Sequence, residues 1–201
     1  MFLNGAGNSL KMIKKLFIGI PIQSATALLL GDRWSNDPLL NHNRMAWTKP
    51  PNWHVTLFFL GATPDWQVGI LGQLIDSSFY EIPSFISLLR GLGVFPEEGK
   101  PRVLWLGLDN FQPLMAAYAA LGDLLQKNGF NVGPKPLKPH LTLARIKSLA
   151  DRTSLEALIS EYQSFDFGTV DINRVTLFES IPTPNGVKYV PLFEKWLLRG
   201  S

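Results

Sequence analysis

The sequence predicts an α+β protein built as two similar lobes, each a largely antiparallel sheet with helices on its outside. Three observations carry that prediction. Two matching tetrapeptides, His54-Val55-Thr56-Leu57 and His140-Leu141-Thr142-Leu143, stand far apart in apolar, β-prone runs. Each is introduced by a Lys/Pro-rich turn, 49–52 and 133–139, and each is followed by a stretch of helical periodicity. Strand and helix patterns otherwise alternate with no linker between the halves. One bilobal domain over residues 12–201 is therefore expected, after a loose leader over 1–11.

Taken in order, Lys14 to Ile20 reads as a strand stopped by Pro21, and Ser24 to Leu30 as a helix stopped by Gly31. The Asn/Asp/Pro-rich connection to Asn43 carries His42, which lacks a companion threonine and reads as surface. Met45 to Thr48 is a short extended piece, 49–52 a turn, Trp53 to Leu60 the first motif strand, and 61–64 a turn. Beyond Asp65, the residues Trp66, Ile70, Leu71, Leu74 and Ile75 recur at helical spacing, and Pro83 ends that region. Phe85 to Leu92 and Val103 to Leu108 are strands, joined by a Gly/Pro loop over 93–101 of the kind that touches ligands. Pro113 suits a helix first turn, and Leu114, Tyr118, Leu121 and Leu125 form its stripe up to Gly129. The second motif strand runs from His140 to Ile146. A helix bearing Leu155, Leu158, Ile159 and Tyr162 follows, capped by Asp151 or Thr153. Val170 to Phe178 and Val187 to Leu192 are the closing strands, with a turn over 182–186.

Composition narrows the function classes. With 46% hydrophobic and 17% charged residues among 201, the chain can bury a sizeable core and is not of the disordered class. The absence of cysteine excludes disulfides, thiolate metal sites and thiol redox chemistry, and fits a reducing, cytoplasmic setting. No apolar run is long enough to cross a bilayer, and the segment from Ile13 to Ile20, with Lys14 and Lys15, reads as a strand and not as a signal segment. No membrane association, no cofactor and no obligate protein partner is expected. A net charge of +3 permits a polyanionic partner without requiring one.

Side chains alternate faces along a strand, so His54 and Thr56 share one face while Val55 and Leu57 share the other. The same holds for His140 and Thr142. Either motif alone fits ordinary strand architecture, where an apolar-run histidine is more often a satisfied core residue. Repetition changes the weighing, because two of the three histidines sit in matching tetrapeptides. Brought together by an internal pseudo-two-fold, they supply a general acid and a general base near neutrality, each role worth ~10²–10⁴ in rate. The threonine hydroxyls can donate to non-bridging phosphate oxygens. Phosphodiester cleavage, or its reversal, fits this set best. A divalent metal fits poorly, since neither histidine has a carboxylate near it in the sequence. Lys49, Arg102, Lys135 and Lys138 are candidates to steer phosphates, and Trp47, Phe95 and Tyr189 to stack on a base. Solvated turns and core packing are the competing readings of those two groups.

These residues carry a family resemblance. The segment from His54 to Gly61 and that from Pro139 to Arg145 resemble the two HxTx signatures of the 2H phosphoesterase superfamily. Within it the chain is most similar to the bacterial RNA 2′,3′-cyclic phosphodiesterases, also called 2′-5′ RNA ligases. Supporting segments are 47–53, 93–96, 101–105 and 175–180, and the resemblance spans Lys14 to Leu192. It implies a cleft between the lobes and metal-free hydrolysis of a 2′,3′-cyclic phosphate, on an RNA end or a small cyclic nucleotide, to a 2′-phosphomonoester. It further implies His54 as proton donor to the leaving 3′ oxygen and His140 as proton acceptor from water. Arg145 matches the family's arginine after the second motif, but ideal alternation turns it away from the histidine face, so a bulge or strand end is required. The arginine that relatives often carry two residues after the first motif threonine is replaced by Phe58, which removes one phosphate contact. The rival readings are a superfamily esterase acting on 2′-5′ oligonucleotides or a cyclic ADP-ribose phosphate, and a non-catalytic RNA-binding module. Two intact His/Thr pairs favour an enzyme.

Overall fold

The two histidine motifs occupy adjacent central strands of one curled sheet. The computed structural model describes residues 12–37, 40, 43–132, 136–184 and 186–200. Residues 1–11, His42 and Lys135 therefore lie outside the described residues. The elements are β1 (Ile13–Pro21), α1 (Ala25–Ser35), β2 (Arg44–Trp47), β3 (His54–Pro64), α2 (Gln67–Ser78), β4 (Phe85–Phe95) and β5 (Val103–Asp109). They continue as α3 (Met115–Lys127), β6 (His140–Ser148), α4 (Arg152–Tyr162), β7 (Asp166–Ile172), β8 (Arg174–Thr183) and β9 (Gly186–Trp196).

The nine strands follow the order β7-β4-β5-β6-β3-β1-β8-β9, with β2 added to β6. All strand pairs are antiparallel. β3 and β6 pair only at Val55 and Leu141, and from that point each continues into its own half-sheet. This sparse seam is the axis of the pseudo-two-fold: β9-β8-β1-β3 on one side, β6-β5-β4-β7 on the other. α2 and α3 pack on each other, with α2 against β9, β3 and β8, while α4 packs on β4 and α1 on β7. Val55, Leu57, Leu141 and Leu143, the apolar halves of both motifs, are buried in the common core. Full burial of such a side chain contributes ~1.5–3 kcal/mol, so each motif strand is anchored from behind while its polar face stays open.

Several elements depart from the local pattern. α1 runs through Gly31 to Ser35, because Trp34 at its far end is 1% exposed and wedged edge-on against Tyr162 and Phe167. β3 does not turn at Gly61. It continues to Pro64, with Gly61 at φ +70, where the register against β1 slips past Leu60. β4 likewise extends through Gly93 to Phe95, shortening the expected loop; a Cβ on Gly93 would meet the Trp105 ring at 2.4 Å. Val170 to Phe178 is two strands, β7 and β8, broken at Asn173, whose carbonyl accepts from the Leu197 N–H at 2.9 Å. Asp151 is the cap of α4, accepting from the Ser154 N–H at 3.0 Å.

Candidate active site

The seam between the half-sheets opens as a cleft of ≈ 470 Å³, lined by His54, Thr56, His140, Thr142, Arg145, Phe95 and Tyr189, among others. The two motifs are thus brought together on one face. Continuing the Val55–Leu141 register one residue each way sets His54 abreast of Thr142 and His140 abreast of Thr56.

The imidazoles are held alike. His54 Nδ1 lies 2.7 Å from the carbonyl oxygen of Asn52, and His140 Nδ1 lies 2.8 Å from that of Lys138. In both cases the partner is the residue two positions earlier. A carbonyl only accepts, so Nδ1 carries the hydrogen in each ring and donates it, which leaves Nε2 for proton transfer. Aromatic rings wall both sites. Phe17 tilts against His54 at 4.7 Å and Tyr189 meets it edge-on at 5.0 Å; Phe95 meets His140 edge-on at 4.9 Å. Desolvation by these surroundings pushes the His54 pKa from 6.5 down to about 4, against the Asn52 hydrogen bond, with smaller help from His140 and Arg145. Burial also lowers that of His140, opposed by the Lys138 carbonyl and assisted by the Lys138 ammonium. In the free protein both imidazoles are therefore neutral near pH 7.

A β-bulge decides what else reaches the cleft. In β6, Thr142 pairs with Trp105 but Ala144 with Leu104, so Leu143 is an extra residue and the facing alternates out of step beyond it. Leu143 and Ala144 are both buried, and Arg145 emerges on the histidine face. β3 repeats the device. Thr56 pairs with Gly19 and Phe58 with Ile18, leaving Leu57 as the extra residue. Phe58 consequently points into the core, stacked on Tyr118 at 4.6 Å. Position 58 thus faces the core and not the cleft, away from the face that carries His54 and Thr56. The pseudo-symmetric mate of Arg145 is Phe59, which lines the cleft and is 70% exposed. Sequence reading by plain alternation passed over Phe59.

The remaining candidates divide. Trp47 and Lys49 miss the cleft and line a separate pocket of ≈ 270 Å³ beside α1, because β2 turns Trp47 toward the core while Thr48 takes the cleft side. Arg102 is exposed and off the cleft; its backbone closes the loop, the N–H donating to Phe95 and the carbonyl accepting from Ile146. Lys138 is ion-paired with Glu97 and lies over the Phe95 and Trp105 rings. Lys15, Thr48 and Ser180 line the cleft without having been candidates. Among the described residues, no carboxylate lines it and no group of three or more His, Cys, Asp or Glu is placed to hold a metal. No helix among those residues is long and apolar enough to cross a membrane.

Comparison with known proteins bears directly on this geometry. Residues 21–192 match the family model described as the AKAP7 2′5′ RNA ligase-like domain. The chain belongs to the 2H phosphoesterase superfamily. Superfamily relatives named RNA 2′,3′-cyclic phosphodiesterase include one from Aquifex aeolicus, 35% identical over 159 residues, covering 75% of this chain and 81% of the relative. Another from Thermotoga maritima is 33% identical over 150 residues, covering 74% and 77%. Among solved structures, the Thermus thermophilus protein TT0787 superposes with a TM-score of 0.73 at 26% identity, over 93% of this chain and all (100%) of that one. Escherichia coli LigT, solved with 3′-AMP, shares the fold at a TM-score of 0.72 and 23% identity, over 92% and 99%.

Proposed function

We propose that this protein hydrolyses 2′,3′-cyclic phosphodiesters at RNA ends to 2′-phosphomonoesters, without a metal, by transferring one proton at each of its two motif histidines. The reading rests chiefly on one observation: two imidazoles with matching Nδ1–carbonyl bonds share one cleft across a pseudo-two-fold. The names of the curated relatives and the carboxylate-free cleft wall support it.

In this mechanism His140 Nε2 takes a proton from water as the water oxygen bonds to phosphorus. The P–O3′ bond breaks, and His54 Nε2–H protonates the departing 3′ oxygen. The products are a 2′-phosphate and a 3′ hydroxyl; the enzyme ends with His140 protonated and His54 neutral and resets by exchange with solvent. Thr56 and Thr142 donate to non-bridging oxygens, and Arg145 balances the charge that builds there. Phe59 offers an exposed ring for the nucleoside. His54 must be protonated to act, and the substrate supplies the means: an anion within ~4–6 Å raises an imidazole's pKa. A 5′ hydroxyl in place of water would yield a 2′-5′ linkage by the same steps.

The test is product analysis on an RNA with a 2′,3′-cyclic end. A 2′-phosphate should form at the same rate with and without EDTA, and His54→Ala and His140→Ala should each abolish nearly all turnover, with the double variant little worse. Full activity in either single variant, or loss on chelation restored by a divalent ion, refutes the mechanism.

A further inference from the structure

The proposed chemistry uses the centre of the cleft and leaves one charged residue in its wall without a role. Lys15 lines the cleft from β1, its side is exposed, and it has no ion-pair partner among the described residues. Its neighbour Lys14, by contrast, is held by Glu179 at 2.6 Å. Lys15 is also on the lobe opposite Arg145, so the two cations approach the cleft from different strands, β1 and β6.

The order of groups along this wall is informative. Thr56 faces Gly19 across the β1–β3 ladder, Phe59 faces Phe17, and Lys15 faces Ala62 next to Gly61. Moving outward from the His/Thr centre, the cleft therefore presents a hydroxyl, an exposed aromatic ring, an open glycine and then an ammonium. Lys15 stands four residues from Gly19 along β1, roughly 13 Å of strand, and its flexible four-carbon stem can carry the charge part of the way back. That leaves about the span between neighbouring phosphates of an RNA chain, with the Phe59 ring between them for the nucleoside.

We infer that Lys15 binds the phosphate on the 5′ side of the reacting nucleotide, so that the site prefers a cyclic-phosphate end carrying a 5′ phosphate or an upstream chain over a bare cyclic nucleoside. The inference rests on the proposed phosphodiesterase reading and adds to it the recognition of a second phosphate. An ammonium at a cleft rim binds as a point charge, so its contribution belongs to substrate affinity and not to the chemical step.

The experiment compares adenosine 2′,3′-cyclic phosphate with the same molecule bearing a 5′ phosphate. The wild type should turn over the 5′-phosphorylated form with a higher kcat/KM, by roughly three- to tenfold for a charge-assisted contact at a partly exposed site, the gain lying in KM. Lys15→Ala should bring the ratio close to one, Lys15→Glu should invert it, and Lys15→Arg should retain it. Lys147→Ala, which removes an exposed charge outside the cleft, should leave the ratio as in the wild type. A ratio of one in the wild type, or a ratio unmoved in Lys15→Glu, overturns the inference while leaving the phosphodiesterase reading intact. A ratio lost in Lys49→Ala but kept in Lys15→Ala overturns it too, by carrying the upstream phosphate to the separate pocket beside α1. Failure to turn over both compounds and an RNA with a 2′,3′-cyclic end refutes the reading and the inference together, whereas turnover of the RNA with neither compound accepted overturns the inference alone.

Discussion

The proton on His54 is the most exacting requirement of the mechanism. In the free protein its pKa is pushed to about 4, so at pH 7 only about 0.1% of the imidazole is charged. Half-protonation at that pH requires an upward shift of about three, or ~4 kcal/mol. A phosphate monoanion ~4 Å away supplies ~4 kcal/mol at an effective dielectric of about 20. The two magnitudes match, so product or substrate binding should carry His54 from about 4 to near neutrality. The assay is an NMR titration of the His54 ring protons, alone and saturated with a nucleoside 2′-phosphate. Kinetics provide a second readout. The kcat/KM bell reports the free enzyme, and because both imidazoles are lowered, both of its limbs should lie below 6.5. The kcat bell, which reports the complex, should be displaced upward. If His54 still titrates near 4 in the complex while turnover proceeds at pH 7, it is not the acid.

Folding stability should follow the same group. The unfolded chain binds a proton at His54 below pH 6.5 that the folded chain refuses until about 4, so stability is full above 6.5 and falls as pH drops through that window, by about 3 kcal/mol at most. Urea melts of wild type and His54→Asn across this range measure it, and parallel curves would contradict the burial argument. Thr56→Val and Thr142→Val keep the strand preference and delete a donor; kcat should fall ~10²–10³-fold with unchanged melting, and wild-type kinetics in both would return the motifs to mere strand architecture. The β3 bulge predicts opposite outcomes at adjacent phenylalanines. Phe58→Ala should lower stability by ~3–5 kcal/mol with little effect on KM in the folded fraction. Phe59→Ala should leave the melt nearly unchanged and raise KM. Exchange of those outcomes would mean that the facing has been misassigned.

Much of the site was legible because strand alternation is a local property. His54/Thr56 and His140/Thr142 share a face by period two alone, and their recurrence announced the pseudo-repeat before any pairing was known. Phe95, Tyr189 and Arg145 reach the same cleft. Which face each residue beyond the motifs takes was decided elsewhere, by how many residues of β3 and β6 oppose each residue of β1 and β5. The extra residues at Leu57 and Leu143 cannot be read from one strand, since a bulge is a mismatch between two. That mismatch sends Arg145 and Phe59 into the cleft and Phe58 into the core. Pairing of β2 with β6 likewise carried Trp47 to another pocket, which Lys49 beyond the strand end also lines. β7, with polar Asp166, Thr169 and Asp171 and a glycine at φ +89, has little strand signal of its own and exists by its pairing with β4. The sequence by itself determined the two polar pairs and the apolar residues that anchor them, because those depend only on spacing along the chain. Their meeting in one cleft, and the company of Phe59, Arg145 and Lys15, was decided by the tertiary structure, because register and curl are set by contacts between segments distant in sequence.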